Sequence, residues 1–264
     1  MNTPSLKVND LFSVKGKVAL VTGGSRGIGL MIAQAYVENG AKVYISSRKA
    51  EICEDIAKAL SEFGSCIALP ADLATREGQA TLVKSLQEKE ESLDILINNA
   101  GAAWGASFDD YPEEGYDKIM DINVKAIFML TQKLMPLLEK NASTLNPARV
   151  INIGSIDGLS VSDLDNYAYG PSKAAVHHLT KVLAVKLAHR GITFNAIAPG
   201  PFESKMTEWM LGTMKEEIES SCPLGRIGYQ EDMAGLALFL ASPAGAYVNG
   251  TVIPLDGGIH LGRG

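Results

Sequence analysis

The sequence predicts an α/β fold: one doubly wound domain, 1–264, with a mainly parallel seven-stranded sheet and helices on both faces. Three observations lead there. Seven short β-rich runs recur along the chain, at 17–24, 41–48, 66–73, 93–101, 148–156, 192–200 and 251–258. Most of them are continuously apolar rather than alternating, the pattern of strands buried on both faces. The segments between them are long enough for crossover helices, and regular strand–helix alternation implies an open sheet covered on both sides. Internal repeats, low-complexity stretches and linkers are lacking, so one domain is the economical reading.

Each element carries its own local signals. The first run, KVALVTGG, passes into the glycine-rich turn TGGSRGIG (22–29). A helix over 27–39 ends at Asn39-Gly40, a typical left-handed stop. The helical stretch 171–190 ends in His189-Arg190-Gly191, where the basic residues suit the negative helix end and Gly191 suits the position just past it. A further helical segment covers 115–140. Residues 201–222 interrupt the alternation after the sixth run. There Met206, Trp209, Met210 and Met214 recur near helical spacing. They form either an amphipathic helix packed on the domain or an adaptable apolar lid over a substrate, and both readings stand.

Composition bounds the function. The chain has 264 residues, 46% hydrophobic, with 24 basic against 30 acidic side chains for a net charge of −6. That is enough apolar residue for a sizeable core. Scattered Lys and Arg give no field for nucleic acid or an anionic membrane surface. Cys53, Cys66 and Cys222 are odd in number and match no metal or redox spacing, so they read as reduced thiols. The start MNTPSLKVNDLF has no basic segment followed by an apolar core, and no apolar run approaches a bilayer span. The expected location is the cytoplasm.

The glycine turn reads as a phosphate cradle. Gly23, Gly27 and Gly29 follow a strand and open a helix, where glycine permits a tight turn and close backbone approach to a pyrophosphate. Ser25 and Ile28 complete that loop. The helix start near Gly27 offers free N–H groups and a positive dipole end. The second run ends Ser46-Ser47-Arg48-Lys49 with no acid to grip a ribose 2′-hydroxyl. Arg26 and Arg48 could instead contact a 2′-phosphate through charge-assisted hydrogen bonds. This predicts NADP(H) over NAD(H), with Ser47 beside Arg48.

The stretch YAYGPSK (167–173) supplies an acid. Reducing a ketone needs a hydride donor, a proton donor and stabilisation of the developing oxyanion. A phenol titrates near 10, and a nearby ammonium is expected to lower that value. Lys173 lies four residues after Tyr169, on the same helix face. The residue four after Tyr167 is Pro171, uncharged and tolerated only in the first turn. Tyr169 is therefore the expected general acid, and Tyr167 packs or touches substrate at the rim. Ser155 ends the fifth run, where open α/β sheets bind ligands, and its hydroxyl can donate to the substrate oxygen.

These motifs together resemble the short-chain dehydrogenase/reductase family over about 15–260, and so a Rossmann fold. The resemblance rests on TGGSRGIG, the aspartate of ADL (71–73), NNAG (98–101), Asn123, Ser155, YGPSK (169–173) and the PG of IAPGPF (197–202). Within the family the chain is similar to 3-oxoacyl reductases of the rhamnolipid-synthesis type, through NPARVINIGS, YAYGPSKAA and VIPLDGG. The resemblance implies that Asp72 bonds the adenine with Leu73 beside it, and that Asn99, Ala100 and Gly101 line the cofactor. It places Pro199, Gly200 and Phe202 at the nicotinamide, and gives Lys173 the nicotinamide ribose. It has Asn123 hold a water that relays protons to Lys173. It also implies a homotetramer packed through 115–140 and 169–190.

Other chemistries fare worse. No G-x-S-x-G elbow or H-E-x-x-H spacing is present, and His177, His178, His189 and His260 have no recognisable hydrolase partners. The substrate expected is a carrier- or CoA-bound 3-oxoacyl thioester, with Trp104 and Phe108 adding to an apolar wall. Lys205 and Arg226 are the sparse basic candidates for a carrier-protein entrance. A sugar or polyol oxidoreductase on the same scaffold is the alternative. A regulatory nucleotide-binding protein that has lost catalysis is a third, opposed by intact Ser155, Tyr169 and Lys173.

Overall fold

The computed structural model describes residues 5–205 and 207–262, apart from the side chains of Trp209 and Met210. Its centre is a seven-stranded sheet of β1 Val18–Thr22, β2 Lys42–Ser46, β3 Ser65–Ala68, β4 Ile95–Asn98, β5 Ala148–Ile153, β6 Ile192–Pro199 and β7 Val252–Leu255. The spatial order is β3-β2-β1-β4-β5-β6-β7, and every neighbouring pair is parallel. The expected runs are therefore all strands, trimmed at their ends. The sheet is wholly rather than mainly parallel, because a crossover helix or longer excursion separates each strand from the next.

Eight helices of eight residues or more flank the sheet among the described residues: α1 Gly27–Glu38, α2 Ala50–Leu60, α3 Arg76–Gln87, α4 Glu113–Met120, α5 Ala126–Glu139, α6 Tyr169–Leu187, α7 Glu208–Ser221 and α8 Gln230–Ala241. Alternation of the strand side chains feeds two cores. Ala19, Val21, Val43, Ile45, Ile95, Ile97, Ile151 and Ile153 join α1, α2 and α8 on one face. Leu20, Tyr44, Leu96 and Val150 meet α3, α5 and α6 on the other. Strands buried on both faces need apolar side chains of both parities, which explains their unbroken apolar runs.

The segment expected as one helix over 115–140 is interrupted. Between α4 and α5 lies a π turn, Asp121–Lys125, with Asn123 fully buried inside it. A π turn inserts one extra residue, so it re-aims the side chains of that turn relative to the flanking helix. Pro171 occupies the third position of α6, within the first turn where a missing N–H costs nothing. The α6 end follows the expected stop: a short 3₁₀ turn Ala188–Arg190, then Gly191 at φ 72°.

In this order the strands are added outward from β1 to β3 and then from β4 on the other side of β1, so the winding switches sides between β1 and β4. Ligands of such sheets bind in the crevice outside the carboxyl ends of the strands at that point. The loops after β1, β4, β5 and β6 carry the motifs singled out in the sequence as chemical, apart from Ser47, Arg48, Asp72 and Leu73 after β2 and β3, Asn123 in the π turn, and Tyr169 and Lys173 at the start of α6. None of the described helices is long and apolar enough to cross a membrane.

Candidate active site

The loop after β1 is built to receive phosphate. Gly23 has φ 64° and Gly27 φ 52°, backbone that L side chains rarely adopt. A Cβ on Gly29 would run into the carbonyl oxygen of Gly23 and into Asn99 Nδ2, so α1 starts tightly against the strand ends. Arg26, the N-cap residue of α1, provides no side-chain cap, and the first turn has no acid. The free N–H groups and the positive helix end therefore stay available to an anion. Ser25 is buried and Ile28 packs against the adjacent core. These residues fit a dinucleotide pyrophosphate.

The cradle is tied to the loop after β4 by hydrogen bonds. Thr22 Oγ1 donates to Ile97 O and accepts from the N–H groups of Asn99 (2.9 Å) and Ala100 (3.0 Å). Asn99 Nδ2 donates to the carbonyls of Thr22 (2.9 Å) and Gly23 (3.2 Å). Gly101 abuts the Asn123 carboxamide, where an added Cβ would lie 3.0 Å from Oδ1. Arg26 and Arg48 are exposed, beyond the ends of the adjacent strands β1 and β2, and neither forms an ion pair among the described residues. Ser47 Oγ reaches the carbonyl of Lys49. Asp72 accepts from the N–H of Ala74 in its own turn, with Leu73 buried beside it.

The loop after β5 and the start of α6 bring Ser155, Tyr169 and Lys173 together. Ser155 caps a 3₁₀ turn, Ile156–Gly158, by accepting from the N–H of Asp157 (3.1 Å). Its hydroxyl also hydrogen-bonds Tyr169, which favours the phenolate. Lys173 is 5% exposed, donates to Ile153 O (2.9 Å) and holds its ammonium 5.5 Å from the centre of the Tyr169 ring.

Here the electrostatics differ from the sequence expectation. Burial, with the Asp157 carboxylate, raises Tyr169 to about 12 despite the Ser155 hydrogen bond. Lys173 is itself pushed down to about 8 by burial, with Asp157 opposing. Desolvation of the phenolate, and not the ammonium 5.5 Å from the ring centre, sets the direction. Tyr169 is thus held as a neutral acid.

Asn123 is held firmly in place: its Nδ2 donates to Ala102 O (3.0 Å) and Ser172 Oγ (3.0 Å), while Oδ1 accepts from the N–H of Ala102 (2.9 Å). The Phe202 ring is 2% exposed and lies against Gly228, within the core that includes Met233, so it fills core space beside the PG pair. Pro199 ends β6, and Gly200 donates its N–H to Leu255 O, with Asp256 too close to allow a Cβ.

Tyr167 sits at the rim. It is 43% exposed, bonds Asp165 (2.9 Å), and meets Phe108 and Tyr111 edge-on at 5.4 and 5.9 Å. Trp104 instead packs on Gly115 of α4, with the Lys118 ammonium over its ring. In the interrupting segment, the described side chains of α7 are exposed or half-buried, and the helix kinks at Met214. Leu211 and Ile218 are half-buried in this helix, whereas Met214 is 36% exposed. Met206 and the side chains of Trp209 and Met210 lie outside the described residues.

A family model described as enoyl-(acyl carrier protein) reductase matches residues 23–260. The rhamnolipids biosynthesis 3-oxoacyl acyl-carrier-protein reductase of Pseudomonas aeruginosa is 52% identical over 252 residues, covering 95% of this chain and 98% of that one. A short-chain dehydrogenase/reductase of Diaporthe leptostromiformis, PhomF, is 36% identical over 279 residues, 97% of this chain and 95% of the relative. The chain belongs to the short-chain dehydrogenase/reductase family. A solved RhlG/NADP active-site complex from Pseudomonas aeruginosa superposes on this family member with a TM-score of 0.92 at 51% identity, covering 95% of this chain and 98% of the other.

Sequence reasoning passed over two residues that this short-chain dehydrogenase/reductase uses to shape the site. Thr22 joins the two cofactor-side loops, and its signal was a hydroxyl directly before the glycine turn. Ser204 lies over the cradle, with its Cβ 3.0 Å from where a Gly27 side chain would start, and is locked to Thr207 by reciprocal hydrogen bonds. The Ser-x-x-Thr spacing just beyond the PG pair was the available signal.

Proposed function

We propose that the protein is an NADPH-dependent reductase of a ketone, specifically of a 3-oxoacyl thioester to the 3-hydroxyacyl product. The observation that carries the chemistry is the convergence of Ser155, Tyr169 and Lys173 at the carboxyl end of β5. The substrate class comes from the 52%-identical reductase and is supported by the exposed aromatic rim of Phe108 and Tyr167. The description of the family model names enoyl rather than 3-oxoacyl reduction, but donors aimed at one oxygen suit a carbonyl.

Gly23, Ser25, Arg26, Gly27, Ile28 and Gly29 would hold the pyrophosphate, and Arg26 and Arg48 the 2′-phosphate. Ser47, Asp72 and Leu73 flank the adenosine side. Asn99, Ala100, Gly101, Pro199 and Gly200 line the path towards the nicotinamide. When bound, NADPH supplies the hydride that adds to the carbonyl carbon. Ser155 donates a hydrogen bond to the carbonyl oxygen and orients it. As the C=O π bond breaks, Tyr169 gives its phenolic proton to that oxygen, and its neutrality at working pH suits this direction. Lys173 stabilises the resulting phenolate and positions the cofactor ribose, and the Asn123 turn supports reprotonation. The segment 201–222 closes over the bound chain, and the working form is a homotetramer.

The test is an NADPH-oxidation assay comparing 3-oxoacyl thioesters on carrier protein and on CoA, enoyl thioesters, simple ketones and keto-sugars. Saturable turnover of 3-oxoacyl thioesters is expected. Turnover confined to keto-sugars or enoyl thioesters would overturn the assignment. Tyr169→Phe should lower kcat by about 100-fold or more while leaving the NADPH Kd within about twofold. Wild-type rates in that variant would remove Tyr169 from its role.

A further inference from the structure

His177 is a buried titratable side chain that this chemistry does not use. It lies one turn beyond Lys173 on α6, and one helix face presents Tyr169, Lys173, His177 and Thr180. The last three of these meet the segment where β5 ends. Lys173 donates to Ile153 O, and Thr180 Oγ1 accepts from Asn152 Nδ2 (2.9 Å). His177 meets the next stretch. A Cβ on Gly154 would fall on its Nε2 and 2.7 Å from Cδ2, and a Cβ on Gly158 would lie 2.8 Å from Cε1. The imidazole is thus seated against both ends of the turn 154–158, the turn that carries Ser155.

The ring is 5% exposed, and neither nitrogen has a well-formed hydrogen bond among the described residues. The ring has a polar neighbour in the Gly158 backbone, which favours the charged form and opposes the effect of burial. Burial pushes its pKa down to about 4, and the Lys173 and Lys181 ammonium groups act in the same direction, so it is neutral at working pH. Burying two ring nitrogens without full partners is costly, and an aliphatic filler would avoid that cost. A flat ring has the shape to lie edge-on to two residues that lack side chains, where a branched aliphatic is thicker.

We propose that His177 is a positioning residue: seated against Gly154 and Gly158, it fixes the turn that aims the Ser155 hydroxyl at the phenol of Tyr169. This rests on the reading of Ser155 as the hydrogen-bond donor to the carbonyl oxygen. A displacement of about 1 Å in such a group costs on the order of 100-fold in rate.

The test is a double-mutant cycle on the full chain with NADPH and a 3-oxoacyl-CoA, using Ser155→Ala, His177→Leu and the double variant. His177→Leu should lower kcat roughly 10- to 100-fold, with KM and the NADPH Kd within about twofold. In the Ser155→Ala background the same change should cost nothing further. His177→Gln, which keeps a planar polar edge, should recover most of the lost kcat. An undiminished kcat in His177→Leu, or a loss of equal size in the Ser155→Ala background, overturns the proposal alone. If Ser155→Ala turns over like the wild type, the reading of Ser155 falls and this proposal with it. Should His177→Leu fail to fold, His177→Ala carries the cycle under the same criterion.

Discussion

At Tyr169 burial and charge oppose each other. A phenol raised to about 12 stays protonated across the neutral range, whereas the lysine beside it, lowered to about 8, changes charge near that range. Lys173 is charged below its pKa and neutral above it. Reductive kcat/KM should therefore hold through neutrality and fall as pH rises through about 8, on the Lys173 limb rather than on the Tyr169 limb. Replacing Lys173 with Arg, whose guanidinium stays charged, should move that limb upward in the residual activity. A limb that stays put would belong to another group. Cofactor choice is argued at the same scale. Arg48→Asp puts a carboxylate where a 2′-phosphate is expected, so the NADPH Kd should rise about 10-fold or more while that for NADH changes little. Equal binding titrations in wild type and variant would show that Arg48 is only a solvated side chain. The pairing of Tyr169 with Lys173 was legible because it is local, four residues on one helix. The direction of the Tyr169 shift was not, because the matter that buries it comes from distant parts of the chain.

Elements were legible where apolar pattern and stop signals agreed. The seven strands, the Asn39-Gly40 end of α1 and the Gly191 stop after α6 fall where the sequence placed them. The π turn at 121–125 was not visible, because one inserted residue leaves only a single slip in the apolar period, which a segment mixing polar and apolar residues does not reveal. A polar ladder between elements was passed over as well. Asn98 Nδ2 donates to Thr131 Oγ1 (3.2 Å) and Asn152 Oδ1 (2.9 Å), and Asn152 Nδ2 donates to Thr180 Oγ1. It crosses from β4 to β5 to α6 in the interior and sets the register that delivers Lys173 to Ile153. Asn152→Ala should cost roughly 1–3 kcal/mol in urea unfolding, because it removes two buried hydrogen bonds and leaves a cavity. NADPH affinity should change little, since the ladder lies behind the cradle. An unchanged midpoint and slope would show that the ladder is energetically idle.

At the scale of the molecule, α5 and α6 leave apolar side chains uncovered. Phe128, Val182 and Val185 are 41%, 40% and 79% exposed on these helices. Apolar exposure shared by two helices is a face suited to burial against a second copy. The tetramer implied by the family resemblance would cover these side chains. Light scattering should give a tetramer, and Val185→Asp should shift it towards smaller species. A monomeric wild type would remove the assembly from the proposal.

By itself the sequence determined the strand–helix alternation, the phosphate cradle, the lack of an acid after β2 and the Tyr169–Lys173 pair. All of these are written in near neighbours along the chain, where periodicity and fixed spacing govern geometry. Only the tertiary structure decided that the Phe202 ring turns into the core, that the Asn123 carboxamide is engaged by Ala102 and Ser172, and that Tyr169 is held as a neutral acid. It also decided that His177 lies against the turn carrying Ser155. Each of these depends on contacts between residues remote in sequence, and desolvation and close packing act through space rather than along the chain.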